Sequence, residues 1–216
     1  MKLVVLGANG RTGRLVVEQA LAAGHNVTAL VRSPEKLTIR NSGLRMVAGR
    51  ATDAADVARA LEGGDAVLST LGGNGSVIAD STRAIVDAAH QTGVRRVIVL
   101  SSFFVERDRL GAVSRLLTGL AMGSVIKDKT AGEKLLRQSD LDWTIIYASL
   151  LKEGPDSGSV RVLPEGAKRR ISDGISRSDV AKWMVEAATT SQLNHRSVGI
   201  TAGTAIKENV SLGGRT

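Results

Sequence analysis

Lys2-Leu3-Val4-Val5-Leu6 runs directly into Gly7-Ala8-Asn9-Gly10-Arg11-Thr12-Gly13, and Leu15, Val16, Ala20 and Leu21 then recur at helical spacing until Gly24. A second apolar stretch, Asn26 to Val31, follows and ends on Arg32. Strand, glycine turn, helix and strand in this order make the opening of a dinucleotide-binding βαβ unit. Gly7 turns the chain off the strand, Gly10 leaves room for a pyrophosphate, and Gly13 lets helix and strand pack closely. Backbone N–H groups at the new helix's N-terminus face the phosphates, so Asn9, Arg11 and Thr12 join the glycines as candidate cofactor contacts.

Outward from that unit, strands and helices alternate. Short apolar runs at Leu44 to Ala48, Ala66 to Ser69, Arg96 to Leu100, Trp143 to Tyr147 and Val198 to Thr201 read as strands. Helices are expected over about 54–61, 78–91 and 129–138, with a last one to about Ala188 capped by Ser178. The alternation predicts an α/β chain: a single Rossmann-type, doubly wound parallel sheet with helices on both faces. One domain spans 1–203 and a tail without clear pattern covers 204–216. Two stretches break the rhythm, about 106–126 and 152–171, and are expected as small substrate-side insertions.

Composition narrows the function. The net charge is +8 with Cys 0 and aromatic residues at 2%. Without cysteine there is neither a disulfide framework nor thiol chemistry, and His25, His90 and His195 are too scattered for a metal site. The one tight basic run is Lys168-Arg169-Arg170, and stacking platforms for bases are few, so no specific nucleic-acid partner is expected. The positive charge suits anionic cofactors and substrates equally well. No apolar run reaches membrane-spanning length and the N-terminus enters a strand at once, so a cytoplasmic chain without membrane association is expected.

Ligands of such sheets lie beyond the strands' carboxyl ends. That rule selects the Gly7 to Gly13 loop, Arg32 with Ser33 and Lys36, the loop Leu71-Gly72-Gly73-Asn74-Gly75, Ser101-Ser102, and the segment after Tyr147. A cation rather than an acid after the second strand favours NADP(H) over NAD(H), because the cation meets the 2′-phosphate. Arg32 and Lys36 are alternatively solvated surface charges. Ser101 and Ser102 are either nicotinamide-side groups or hydroxyls that end a strand. Tyr147 either projects its hydroxyl into the pocket or sits at the edge of the core.

Together, Gly-Ala-Asn-Gly-Arg-Thr-Gly, Leu30-Val31-Arg32-Ser33-Pro34, Val99-Leu100-Ser101-Ser102 and Glu133-Lys134-Leu135-Leu136-Arg137-Gln138-Ser139 before Trp143-Thr144-Ile145-Ile146 resemble the atypical short-chain dehydrogenase/reductases. The likeness is to NAD(P)H-binding, NmrA-like proteins and their biliverdin reductase B, or flavin reductase, branch. It implies that Ser102 stands beside the nicotinamide and that Lys134 is the reductase lysine. The reductase tyrosine, four residues earlier, then falls at Thr130, which is no phenol. Relatives carry an aspartate where this chain has Arg50, which can stack on adenine instead, and a histidine where it has Leu150.

The resulting expectation is an NADPH-dependent oxidoreductase passing hydride to a flavin or similar planar small molecule, with Ser102 and Tyr147 as candidate catalytic groups. It is expected as a monomer or small homo-oligomer. The competing expectation is a non-catalytic NADP(H) sensor or scaffold of the NmrA-like kind. A sugar-nucleotide epimerase ranks third, disfavoured by chain length and Thr130.

Overall fold

The structure, a computed structural model, describes residues 1–73, 75–164, 166–168 and 174–203, and of 113–115 and 117 the backbone alone. The tail 204–216, Arg169 and Arg170 of the basic run, Ile171, and Asn74 of the second glycine loop lie outside the described residues.

The first half of the chain alternates β1 (Lys2–Leu6), α1 (Arg11–Ala22), β2 (Asn26–Val31), β3 (Leu44–Ala48), α2 (Ala54–Leu61), β4 (Ala66–Ser69) and α3 (Val77–Thr92). The second half runs β5 (Arg96–Ser102), α4 (Ala112–Gln138), β6 (Asp142–Ala148), β7 (Leu150–Lys152), β8 (Val160–Leu163), β9 (Gly174–Ser176), α5 (Arg177–Ala188) and β10 (Arg196–Ala202). The main sheet has the order β3-β2-β1-β4-β5-β6-β10-β8. All its pairings are parallel except β8, which runs antiparallel to β10 at one edge, and β7 and β9 form a separate two-stranded parallel sheet.

Alternate residues of each strand supply two cores. Leu3, Val5, Ala29, Ile98, Leu100 and Ile146 pack against α1 and α5, while Val4, Leu6, Val67, Val97, Val99 and Ile145 pack against α2, α3 and α4. Burial on both faces explains why these strands read as continuous Val and Ile runs. Strand order reverses between β1 and β4, so the crevice opens where Gly7 and Thr70 leave their strands.

Three expectations need correction. The stretch 106–126 is not an irregular insertion: from Ala112 it is the first half of a 27-residue helix, kinked at Met122 (φ −131°, ψ 16°). Gly119 and Gly123 dilute the helical pattern in the sequence, although a Cβ on Gly119 would meet only the movable end of the Arg107 side chain and one on Gly123 nothing within 4 Å. The stretch 152–171 contains the antiparallel edge strand β8. Ser176, not Ser178, caps α5, accepting from the Asp179 amide at 2.9 Å, while Ser178 Oγ accepts from Gln19 Nε2 at 2.9 Å.

Candidate functional site: a glycine cradle with an open cationic cleft

Gly7 leaves β1 with φ +88°, a left-handed conformation that glycine alone adopts freely, and its carbonyl accepts from the Gly10 amide at 2.8 Å. A Cβ on Gly13 would stand 2.1 Å from Gly7 O and 2.7 Å from Thr70 Oγ1. The first turn of α1 is thus seated directly against the loop. A Cβ on Gly10 would meet only Gly7 O, at 3.1 Å, and otherwise fill the hollow in front of the helix. α1 has no side-chain cap and no acid in its first turn, which leaves its N-terminal amides for an anion. The cradle fits a diphosphate. Asn9 Nδ2 donates to Ser33 O at 3.1 Å and ties the loop to the end of β2.

Beyond β2 and β3 lies an open cleft of about 380 Å³ lined by Arg32, Gly49 and Arg50. Arg32, Lys36 and Arg50 are exposed, and among the described residues their side chains make no hydrogen bond or ion pair. The nearby acid is turned to other use: Asp56 accepts from the Arg50 amide at 2.7 Å and from Arg59 Nη2 at 2.6 Å. Those bonds hold the Asp56 carboxyl below its ordinary range, the Arg50 amide contributing most. Leu71 packs on the α2–α4 core and Gly72 and Gly73 are exposed at the rim.

The ends of β5 and β6 look different. Ser101 lies opposite Tyr147, and Ser102 opposite Ala148. Ser101 Oγ donates to Glu133 Oε1 at 2.6 Å, the Tyr147 hydroxyl donates to Glu133 Oε2, and Arg137 Nη2 donates to the Tyr147 oxygen at 2.8 Å. Arg137 continues to Ser197 Oγ at 2.7 Å and lies over the Trp143 ring at 5.2 Å. Burial, reinforced by the Glu133 carboxylate, pushes the Tyr147 phenol well above its ordinary value. Ser102, half-buried, accepts from the Phe104 amide at 3.4 Å.

The structure therefore gathers the glycine loop, Asn9, Arg32, Ser33 and Arg50 along one edge, with Ser101, Ser102 and Tyr147 along the continuation of the same edge. Lys134 is exposed on α4, and its neighbour Glu133 is the residue that faces the strand ends. Lys129, one turn earlier, is half-buried, and desolvation lowers its pKa against the opposing pull of Glu133 and Asp128. Counting the reductase spacing from Lys129 instead puts Val125 at the tyrosine position, so neither lysine has a phenol four residues before it. Thr130 Oγ1 is spent on the Ile126 carbonyl at 2.8 Å. Asp128 Oδ2 and Oδ1 accept from the Ile78 and Ala79 amides at 2.9 and 3.0 Å, docking α4 on the start of α3. Sequence reading gave Glu133, Lys129 and Asp128 no role. For Lys129 and Glu133 the one available signal is their opposite charge one turn apart.

Among the described residues no helix is long and apolar enough to cross a membrane. Comparison with known proteins agrees with the geometry. Residues 7–191 match the model of the NAD(P)H-binding family. The uncharacterized sugar epimerase YhfK of Bacillus subtilis is 30% identical over 94% of this chain and 95% of its own length. The (4-alkanoyl-5-oxo-2,5-dihydrofuran-3-yl)methyl phosphate reductase of Streptomyces griseus is 29% identical over 94% of this chain and 69% of its own. ChuY, an anaerobillin reductase of Escherichia coli O157:H7, superposes with a TM-score of 0.79 at 25% identity, over 93% of this chain and 96% of that one. The chain belongs to the NAD(P)H-binding family, in a neighbourhood that includes reductases.

Proposed function

We propose that this NAD(P)H-dependent oxidoreductase takes NADPH in preference to NADH and passes hydride to a flavin or another planar small molecule. The observation that carries the preference is the cleft lined by Arg32 and Arg50, whose exposed side chains make no hydrogen bond or ion pair among the described residues, while Asp56 is held by Arg59. A 2′-phosphate there would meet two guanidiniums, whereas a bare ribose hydroxyl would find no carboxylate to accept from it.

A bound nicotinamide supplies the hydride. The chain's own part is to bind, orient and keep protons in place. The glycine cradle and the α1 amides hold the diphosphate, and Ser102 Oγ offers a hydrogen bond to the carboxamide or the acceptor. Tyr147 is a poor acid in these surroundings, because its proton already sits on a hydrogen bond to Glu133. Lys129 loses its proton more readily than an exposed lysine, because desolvation lowers its pKa against the pull of Glu133 and Asp128. Chemistry limited by stacking and orientation suits such a site.

The test is direct. Wild type should bind NADPH at least about tenfold more tightly than NADH, and Arg32→Ala should remove most of that ratio. Equal affinities in wild type would overturn the preference. Ser102→Ala should slow NADPH-dependent flavin reduction by a few to about a hundredfold, through lost hydrogen bonding and orientation. The closed network around Tyr147 favours a second reading, an NADP(H) sensor or scaffold. Tight NADPH binding with no turnover of any flavin or quinone would select it.

A further inference from the structure

Two arginines and a glutamate from three separate segments meet at the mouth of the phosphate cradle. β7 and β9 pair with Lys152 opposite Ser176, so the next residue of each strand, Glu153 and Arg177, leaves the small sheet side by side. Arg177 Nε donates to Glu153 Oε1 at 2.9 Å, and Arg11 Nη1, from the first residue of α1, reaches the same oxygen at 3.2 Å. Arg177 Nη1 also donates to Thr12 Oγ1 at 3.2 Å. The guanidinium thus lies within the first turn of the helix whose amides open on the cradle. It is also the least exposed member, 18% against 66% for Glu153 and 76% for Arg11.

As a stability device this cluster makes little sense. Arg11 sets a cation at the positive end of a helix, where cations are disfavoured, and exposed ion pairs contribute little. Both arginines converge on one oxygen of one carboxylate, so the trio keeps a surplus positive charge. Only an anion with more charge and more oxygens would satisfy it. The elements that build it are rigidly joined, for Gln19 Nε2 on α1 donates to Ser178 O at 3.0 Å and Oγ at 2.9 Å on α5.

We propose that Arg177 and Arg11 are side-chain cations of the diphosphate site, and that Glu153 holds them as an internal stand-in which the cofactor's diphosphate displaces. This rests on the cofactor reading above. On exchange, Glu153 returns to water, the two guanidiniums turn to phosphate oxygens, and Thr12 Oγ1 is released toward the same anion. The chain's affinity for its cofactor is then set by a competition between one carboxylate and one diphosphate.

The exchange is tested by titrating wild type, Glu153→Gln, Arg177→Gln and Arg177→Lys with NADPH and with adenosine 2′-monophosphate, which reaches the Arg32 and Arg50 cleft but carries no diphosphate. Glu153→Gln should tighten NADPH about threefold and Arg177→Gln should weaken it about tenfold, with adenosine 2′-monophosphate unchanged in both. Arg177→Lys should recover part of the loss, as a point charge without the guanidinium fork. NADPH affinity unchanged in Glu153→Gln and Arg177→Gln overturns the exchange. Weaker binding in Glu153→Gln also overturns it, because the carboxylate would then be a strut and not a competitor. If Arg177→Gln fails to fold, Glu153→Gln, altered at an exposed position, decides alone. A wild type that binds no NADPH overturns the cofactor reading and the exchange together, and is distinguished by the loss in every protein.

Discussion

The two halves of the sheet's carboxyl edge handle their polar groups in opposite ways. Beyond β1 to β3, the exposed side chains of Arg32, Lys36 and Arg50 make no hydrogen bond or ion pair among the described residues, and Arg32 and Arg50 line an open cleft with Gly49. Beyond β5 and β6, Ser101, Glu133, Tyr147 and Arg137 close on one another in a largely buried network. Exposed cations cost little while solvated, and gain when a ligand brings phosphate to them. Buried charges must be paired at once, so their partners have to come from the fold itself. The open half is therefore built toward a ligand and the closed half toward rigidity, which fits chemistry supplied by what is bound.

The largest effect should come from the open half's floor. In Gly13→Ala the new Cβ must displace the Gly7 carbonyl, since 2.1 Å is far inside contact and the neighbour is backbone. The expected cost is about 3 kcal/mol or more of stability, with cofactor binding lost. Gly10→Ala should weaken binding at a smaller stability cost than Gly13→Ala, because its Cβ would meet only Gly7 O, at 3.1 Å and not 2.1 Å. Urea melts and NADPH titrations of both variants would show this. Retained binding in Gly13→Ala would mean that the cradle is only a turn.

Next in size is the closed half. Glu133→Ala strips the acceptor from two hydroxyls and the counter-charge from Arg137, and should cost about 2–4 kcal/mol of stability. The folded fraction should still bind NADPH within about threefold of wild type, as the network touches the fold and not the phosphates. Lost NADPH affinity with an unchanged melting curve would break the comparison, for it would place Glu133 on the ligand side.

Legibility in the sequence follows the same divide. Gly7 to Gly13 and Arg32 are readable because local backbone geometry and one strand-end position decide them. β3, α2 and β4 fall at Leu44–Ala48, Ala54–Leu61 and Ala66–Ser69, where the apolar runs and helical spacing put them. The Ser101 to Glu133 bond spans 32 residues and the Asp128 cap of α3 spans 50, and no local pattern encodes a partner so distant. The first half of α4 is hidden in the sequence by Gly119 and Gly123, which dilute its periodicity, and β8 by its short, half-exposed edge position. Lys134 stands out in the sequence only through the family resemblance, while the burial that lowers the Lys129 pKa exists only in the folded chain.

A smaller effect sharpens the open half. Arg50 can serve that cleft as a second phosphate cation or as a platform for adenine, and the two differ in what they discriminate. Arg50→Ala should weaken NADPH several-fold more than NADH if it meets phosphate, with stability within about 0.5 kcal/mol of wild type. Equal weakening of both nucleotides would assign it to adenine stacking. The preference for NADPH would then rest on Arg32.

The smallest effect is a pH dependence confined to the closed half. Burial first, and the Glu133 carboxylate second, raise the Tyr147 phenol above its ordinary value. The unfolded chain gives up this proton near pH 10, while the folded protein keeps it. From about pH 10 upward the native state binds more protons than the unfolded chain, so stability falls as pH rises. The contribution of Tyr147 is complete below about pH 9 and shrinks from about pH 10 upward. Tyr147→Phe abolishes the titration along with the two hydrogen bonds. The stability gap between wild type and variant, from urea melts across pH, should stay level up to about pH 9 and narrow above about pH 10. A gap that stays level to about pH 12 would mean that the phenol ionises alike in both states. That would put Tyr147 in contact with water, open to the pocket, and return it to the candidates for proton donor.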